Sequence, residues 1–166
     1  MFAVGTIIVY GLQGVCRIED ITEMRMGDDL RSYYILCPVN DSKSTVYVPV
    51  DNENMVSQMR ELLTVSDIDA IIDEVKATDQ QWIRNDAERK EFCSTVIKNG
   101  NRKEILQLIS MLYMHKEEQL NNKKRFQIAD DRYLKEAEKL INDEFSYVLG
   151  ISQDEVAEYI KNKIGQ

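Results

Sequence analysis

The sequence predicts an α+β chain in two parts, a small antiparallel Tudor/SH3-like β-barrel followed by an all-α helical bundle. Three observations carry that prediction. β-branched and aromatic residues dominate short runs up to Val50, and turn residues separate those runs. Beyond Asp51 the apolar period lengthens from two residues to about 3.6, and proline disappears. The expected division is 1–55 for the barrel, 56–65 for a linker and 66–166 for the bundle.

In the first part, Ile7 to Tyr10, Val15 to Ile21, Tyr33 to Leu36 and Val46 to Val48 read as strands. Gly11 to Gly14, Gly27-Asp28-Asp29 and Asn40-Asp41-Ser42 are short enough to make hairpins, so consecutive strands should pair antiparallel. Four or five short strands in about fifty residues suit a small barrel better than a sandwich. Pro49 lacks a ladder donor and fits an edge or a strand end.

In the second part, Ser66 with Asp69 has the spacing of a helix cap, and Ile68, Ile71, Ile72 and Val75 follow as one stripe. Thr78-Asp79 interrupts before Trp82. A second helix is expected from about Asn85 to Lys98, with Phe92, Cys93 and Val96 inward and Gly100 as its left-handed stop. Asn101 with Glu104 begins a third helix, whose Ile105, Leu108, Ile109 and Leu112 share a face. After Asn121-Asn122, the run from Tyr133 to Val148 outlines a fourth, closed by Gly150. Ser152 with Glu155 caps a last helix carrying Val156, Tyr159, Ile160 and Ile164.

Composition narrows the chemistry. The formal net charge is -8, but Arg84 to Arg125 holds 10 basic against 6 acidic residues, a basic band directly after Trp82. Cys16, Cys37 and Cys93 are odd in number and widely spaced, which favours reduced thiols in a cytoplasmic protein over a disulfide frame or a zinc site. The apolar start, Met1 to Tyr10, lacks a basic leader and is too short for a membrane span.

An enzyme is not expected. There is no phosphate-cradling glycine loop, no nucleophile elbow, no HExxH and only one histidine, His115, which reads as a helix-surface residue. The carboxylate pairs Asp28-Asp29, Asp130-Asp131 and Asp143-Glu144 are adjacent in sequence and read as solvated surface. No cofactor, metal, membrane or small-molecule substrate is expected, and the chain should be a monomer. A binding protein fits better, with strand edges that can extend a partner's sheet and helices that can present a basic face.

Phe2, Val4 to Tyr10, Gly14-Val15, Tyr33 to Leu36, Thr45 to Val50, the lone Trp82, Gly100-Asn101, the Ile105 to Tyr113 helix and Leu149 to Ile160 together resemble the CarD and CdnL type of bacterial transcription regulator. The first part alone also looks like the polymerase-binding module of transcription-repair coupling helicases. The resemblance implies a Tudor-like domain that docks on the β subunit of RNA polymerase. It also implies a helical domain that touches promoter DNA at the upstream edge of the melted bubble. Carried over by position, Tyr47, flanked by Val46 and Val48, faces polymerase. Arg25 does so as well, with Met24 as the alternative register.

The same resemblance makes Trp82 an apolar wedge in the minor groove and sets Arg84 on a neighbouring phosphate, with Arg132, Arg89 and Lys90 available to the backbone. A lone tryptophan ordinarily marks a core. Its place after an interruption, beside Arg84 and ahead of the basic band, together with the resemblance, turns the reading of Trp82 to an exposed wedge. Asp130-Asp131 beside Arg132, and Asp86 and Glu88 beside Arg84, weaken the expected attraction for DNA. The competing reading is an adaptor whose acidic helical domain binds another protein instead.

Overall fold

The computed structural model describes residues 1–165, which separate into two compact units, Met1–Leu62 and the residues from Leu63 onward. The first is a five-stranded antiparallel sheet. Its strands are β1 (Ile7–Tyr10), β2 (Gly14–Met26), β3 (Asp29–Pro38), β4 (Val46–Pro49) and β5 (Met59–Glu61), in the order β4-β3-β2-β1-β5. One short helix, α1 (Glu53–Val56), lies between β4 and β5. The hairpins fall where the glycines allow them, and Gly14 and Gly27 both have φ near +70°. Ile8, Cys16, Ile18, Tyr34, Leu36 and Val48 alternate inward and are at most 2% exposed. A bulge between Ile18 and Asp20 lets β2 bend over that core.

Two expectations change here. Residues 56–65 do not form a plain linker, because Met59 to Glu61 make the edge strand β5 and Met59 is buried opposite Tyr10. Three residues are too few to show a period of two, so this strand left no pattern. The barrel, for its part, is not closed by strand pairing, since β4 and β5 are opposite edges of the sheet.

The second unit comprises α2 (Val65–Lys76), α3 (Asp86–Asn99), α4 (Arg102–Asn121), α5 (Ile128–Leu149) and α6 (Gln153–Ile164). Apolar stripes meet in one core that includes Ile68, Ile72, Cys93, Leu108, Leu112, Ala137, Ile141, Phe145 and Val156. Gly100 and Gly150 end α3 and α5 in the left-handed conformation, and Ser152 with Glu155 forms the capping box of α6. The box of α2 is Thr64 with Asp67, two residues earlier than Ser66 with Asp69. Both pairs have the same spacing. Asp69 is otherwise engaged, accepting from the Tyr159 hydroxyl at 2.6 Å and pairing with Lys163.

The carboxylates correct the sequence reading further, because Asp130, Asp143 and Glu144 are buried instead of solvated. Glu144 receives a two-pronged bond from Arg102, at 2.9 and 3.0 Å, and also accepts from the Leu63 amide. Phe92, expected inward, is 43% exposed.

Candidate functional site

Trp82 lies in the irregular segment between α2 and α3 and is half-buried, packed against the helical core. Its ring stacks on the imidazole of His115 from α4, with centroids 3.6 Å apart and planes 9° from parallel. The Arg89 guanidinium lies over the same ring, 4.5 Å from its centroid. The exposed-wedge reading is therefore corrected: Trp82 is a plate held by two cation-capable groups, and only part of it meets solvent.

Arg89 holds the site together. It is 1% exposed, and its guanidinium reaches Asp130 at 2.9 and 3.0 Å, Asp86 at 2.8 Å and the Ile83 carbonyl at 2.9 Å. Those bonds tie α3 to the first turn of α5 and to the segment that carries Trp82. Burial disfavours the charge, but the hydrogen bonds that Arg89 donates to Asp130 and Asp86 outweigh it and hold the Arg89 pKa above its ordinary value. Arg89 is thus withdrawn from any phosphate, because all of its donor directions are taken inside the protein.

The remaining cations expected at DNA are exposed. Arg84 follows Trp82 by two residues, Lys90 begins the second turn of α3, and Arg132 begins the second turn of α5 with its guanidinium 5.1 Å from the Tyr133 ring centroid. Arg89 brings Arg84 and Arg132 into one neighbourhood, since it bonds the residue before Arg84 and a carboxylate two residues before Arg132. None of the three forms an ion pair among the described residues. Nearby acids are partly neutralised: Asp131 pairs with Lys116 and Lys135, and Asp86 shares Arg89 with Asp130, while Glu88 is exposed and forms no ion pair among the described residues. The hydrogen bonds from Lys135 and Lys116 hold the Asp131 carboxyl below its usual range, and that from Arg89 does the same for Asp86.

His115 was not legible as a site residue, although its spacing carries a signal. It follows Leu108 and Leu112 at helical intervals and so falls on the buried stripe of α4. Its Nε2 accepts from the Gln119 amide at 3.0 Å, which leaves the proton on Nδ1, facing Glu118 at 3.8 Å. Burial lowers its pKa below the ordinary value, and Arg89 adds to that against the opposing pull of Glu118 and Asp130. Cys93 lies nearby in the core, and burial together with Asp130 pushes its thiol up to about 11, so it stays protonated at neutral pH.

In the sheet unit, Tyr47 is 40% exposed on the edge strand β4, and Val46 is half-buried. Val48 is fully buried and belongs to the core, so its side chain is unavailable to a partner. Arg25 is exposed opposite Leu30 at the far end of the β2–β3 hairpin, while Met24 is half-buried opposite Arg31. Tyr47 aligns through Ile35 with Asp20, five residues along β2 from Arg25. At the ordinary strand rise that is about 17 Å, so the ladder does not bring the two together.

Residues 2–62 match the family described as the CarD-like/TRCF RID domain. The sheet unit is a CarD-like RID domain. Domains of this family are non-catalytic interaction modules that bind the β subunit of RNA polymerase, and the match extends to the sheet unit alone. No curated protein matches the chain. The match covers the sheet unit and β5, whereas Trp82 and its surroundings lie outside it. No helix among the described residues is long and apolar enough to cross a membrane.

Two outcomes follow from the site. Arg89→Ala leaves Asp130 buried without its cation, so urea unfolding of the helical unit should show a loss of about 3–5 kcal/mol. An unchanged unfolding midpoint would mean that the pair contributes nothing. Because the chain holds one tryptophan and one histidine, Trp82 fluorescence reports His115 directly. With the folded pKa depressed below 6.5, stability is full above that value and is lost as pH falls through the folded pKa. The fluorescence of Trp82 should titrate with a midpoint below 6.5, and His115→Phe should abolish the step.

Proposed function

We propose that the chain docks on the RNA polymerase β subunit through β4 of its RID domain, and that its helical unit contacts promoter DNA at the upstream edge of the melted bubble, stabilising the open complex. The observation that carries this reading is the half-buried Trp82 plate, braced by Arg89 and His115 and flanked by the exposed cations Arg84 and Arg132. A rigid aromatic edge beside phosphate-binding side chains can occupy an unstacked base step. Few such cations are present, so intrinsic affinity for DNA is small, and tethering by the RID domain supplies the effective concentration. Stabilising the open state by about 1–2 kcal/mol shifts its population roughly tenfold, a regulatory effect that needs no catalysis.

The edge of β4 supports the first contact. Val50 donates to the Ser32 carbonyl, so by antiparallel alternation Val48 and Val46 face β3 with their backbone groups. The N–H and C=O of Tyr47 then point away from the sheet, where a strand of the β subunit can pair with them while the phenol packs against it. A second reading, a protein-binding adaptor whose helical unit never meets DNA, draws on the loss of Arg89 from the exposed basic set.

Trp82→Ala should shorten the open-complex lifetime roughly tenfold while binding to the β subunit persists, and Arg84→Ala should do so less and in a salt-dependent way. An unchanged lifetime with polymerase still bound would favour the adaptor. Tyr47→Ala should weaken capture of the β subunit by about tenfold with the sheet intact, and Tyr47→Phe should weaken it less. Full capture by Tyr47→Ala removes β4 from the interface.

A further inference from the structure

Beside Trp82 lies a cavity of about 390 Å³ whose lining differs from the rest of the helical unit. Gln81 and Ile83, the two chain neighbours of Trp82, form one wall, and α3 and α4 form the others. The polar groups on these walls are mainly neutral amides. Gln81 and Gln107 form no side-chain hydrogen bond among the described residues. Phe92, whose exposure packing does not explain, presents its ring to the same space. No Lys or Arg lines the cavity, and Glu104 does.

Each feature restricts the ligand. An amide carries a donor and an acceptor side by side, the arrangement that pairs with the edge of a nucleobase. An exposed aromatic ring offers the face on which an unstacked base settles. A carboxylate without an accompanying cation repels phosphate but accepts from the amino group of cytosine or adenine. The volume is that of a site for one small heterocycle. We propose that this cavity receives a single nucleobase, unpaired and swung out of the stack at the edge of the bubble, stacking it on Phe92 and reading its edge with Gln81 and Gln107. This inference rests on the DNA contact proposed above. It adds a division of labour in which Trp82 holds the step open and the amide cavity traps the base that leaves it, so promoters differ in how well that base fits.

The test uses the full chain with polymerase holoenzyme on promoters that carry one abasic site at a time along the upstream edge of the bubble, on either strand. The readout is open-complex lifetime. Phe92→Ala and Gln107→Ala should each shorten it, Phe92→Ala roughly tenfold, the scale of one lost base–aromatic stack, and Phe92→Tyr should restore it. At one abasic position the protein's contribution should already be missing, and there Phe92→Ala should cost nothing further. Full lifetimes with Phe92→Ala and Gln107→Ala, alongside a shortened one with Trp82→Ala, overturn the base cavity and leave the wedge standing. A loss in Phe92→Ala that couples to no abasic position also overturns it. If Trp82→Ala has no effect either, both the cavity and the DNA contact fall together.

Discussion

The helical unit depends on one buried ion pair. Arg89 and Asp130 are each 1% exposed, and burying two charges is tolerable only when their geometry is close and their remaining valences are filled. Both conditions hold, because Arg89 uses its other donors on Asp86 and Ile83 while its guanidinium lies over the face of Trp82. Without that fork, nothing in the segment between α2 and α3 would fix the tryptophan, since the segment has no regular hydrogen-bonding of its own.

The consequence is rigidity at a place where rigidity matters. An aromatic side chain acting on a base step must keep its orientation while the nucleic acid moves, and a loop tryptophan free to rotate would lose that orientation as entropy. Stacking on His115 and lying under Arg89 leave Trp82 little freedom. The arrangement also alters the local charge. Asp86, Asp130 and Asp131 would repel a phosphate chain if they were bare, but Asp131 has its own lysines and Asp86 and Asp130 share Arg89, so the exposed charges left nearby are Arg84, Lys90 and Arg132 against Glu88. An acidic protein can in this way keep one surface that does not repel nucleic acid.

The RID domain works by a different principle. Its apolar side chains face inward and its edge strand β4 keeps unpaired backbone groups, a feature that isolated proteins usually suppress because it invites aggregation. Pro49 removes a donor at the end of β4, and the strand is only four residues long, so the open edge is short. A small edge of this kind suits a specific partner strand and gives little purchase to an unspecific one.

Periodicity and turn residues determined much of this protein by themselves. The change from a two-residue to a helical period near Asp51, the left-handed stops at Gly100 and Gly150, and the Ser152–Glu155 cap are local physics, so they were legible without a structure. The same stripes also marked Asp130, Glu144 and His115 as inward, since each lies three or four residues from a buried neighbour such as Leu134, Ile141 or Leu112. Their polarity masked that signal, because a charged residue is read as solvated until its partner is seen. Only the tertiary structure could supply the partners, which lie 41 residues away for Arg89 and Asp130 and 42 for Arg102 and Glu144. Whether Trp82 was core or wedge was likewise undecidable from its neighbours. That answer depended on Arg89 and His115 reaching it from two separate helices, contacts that no local spacing encodes.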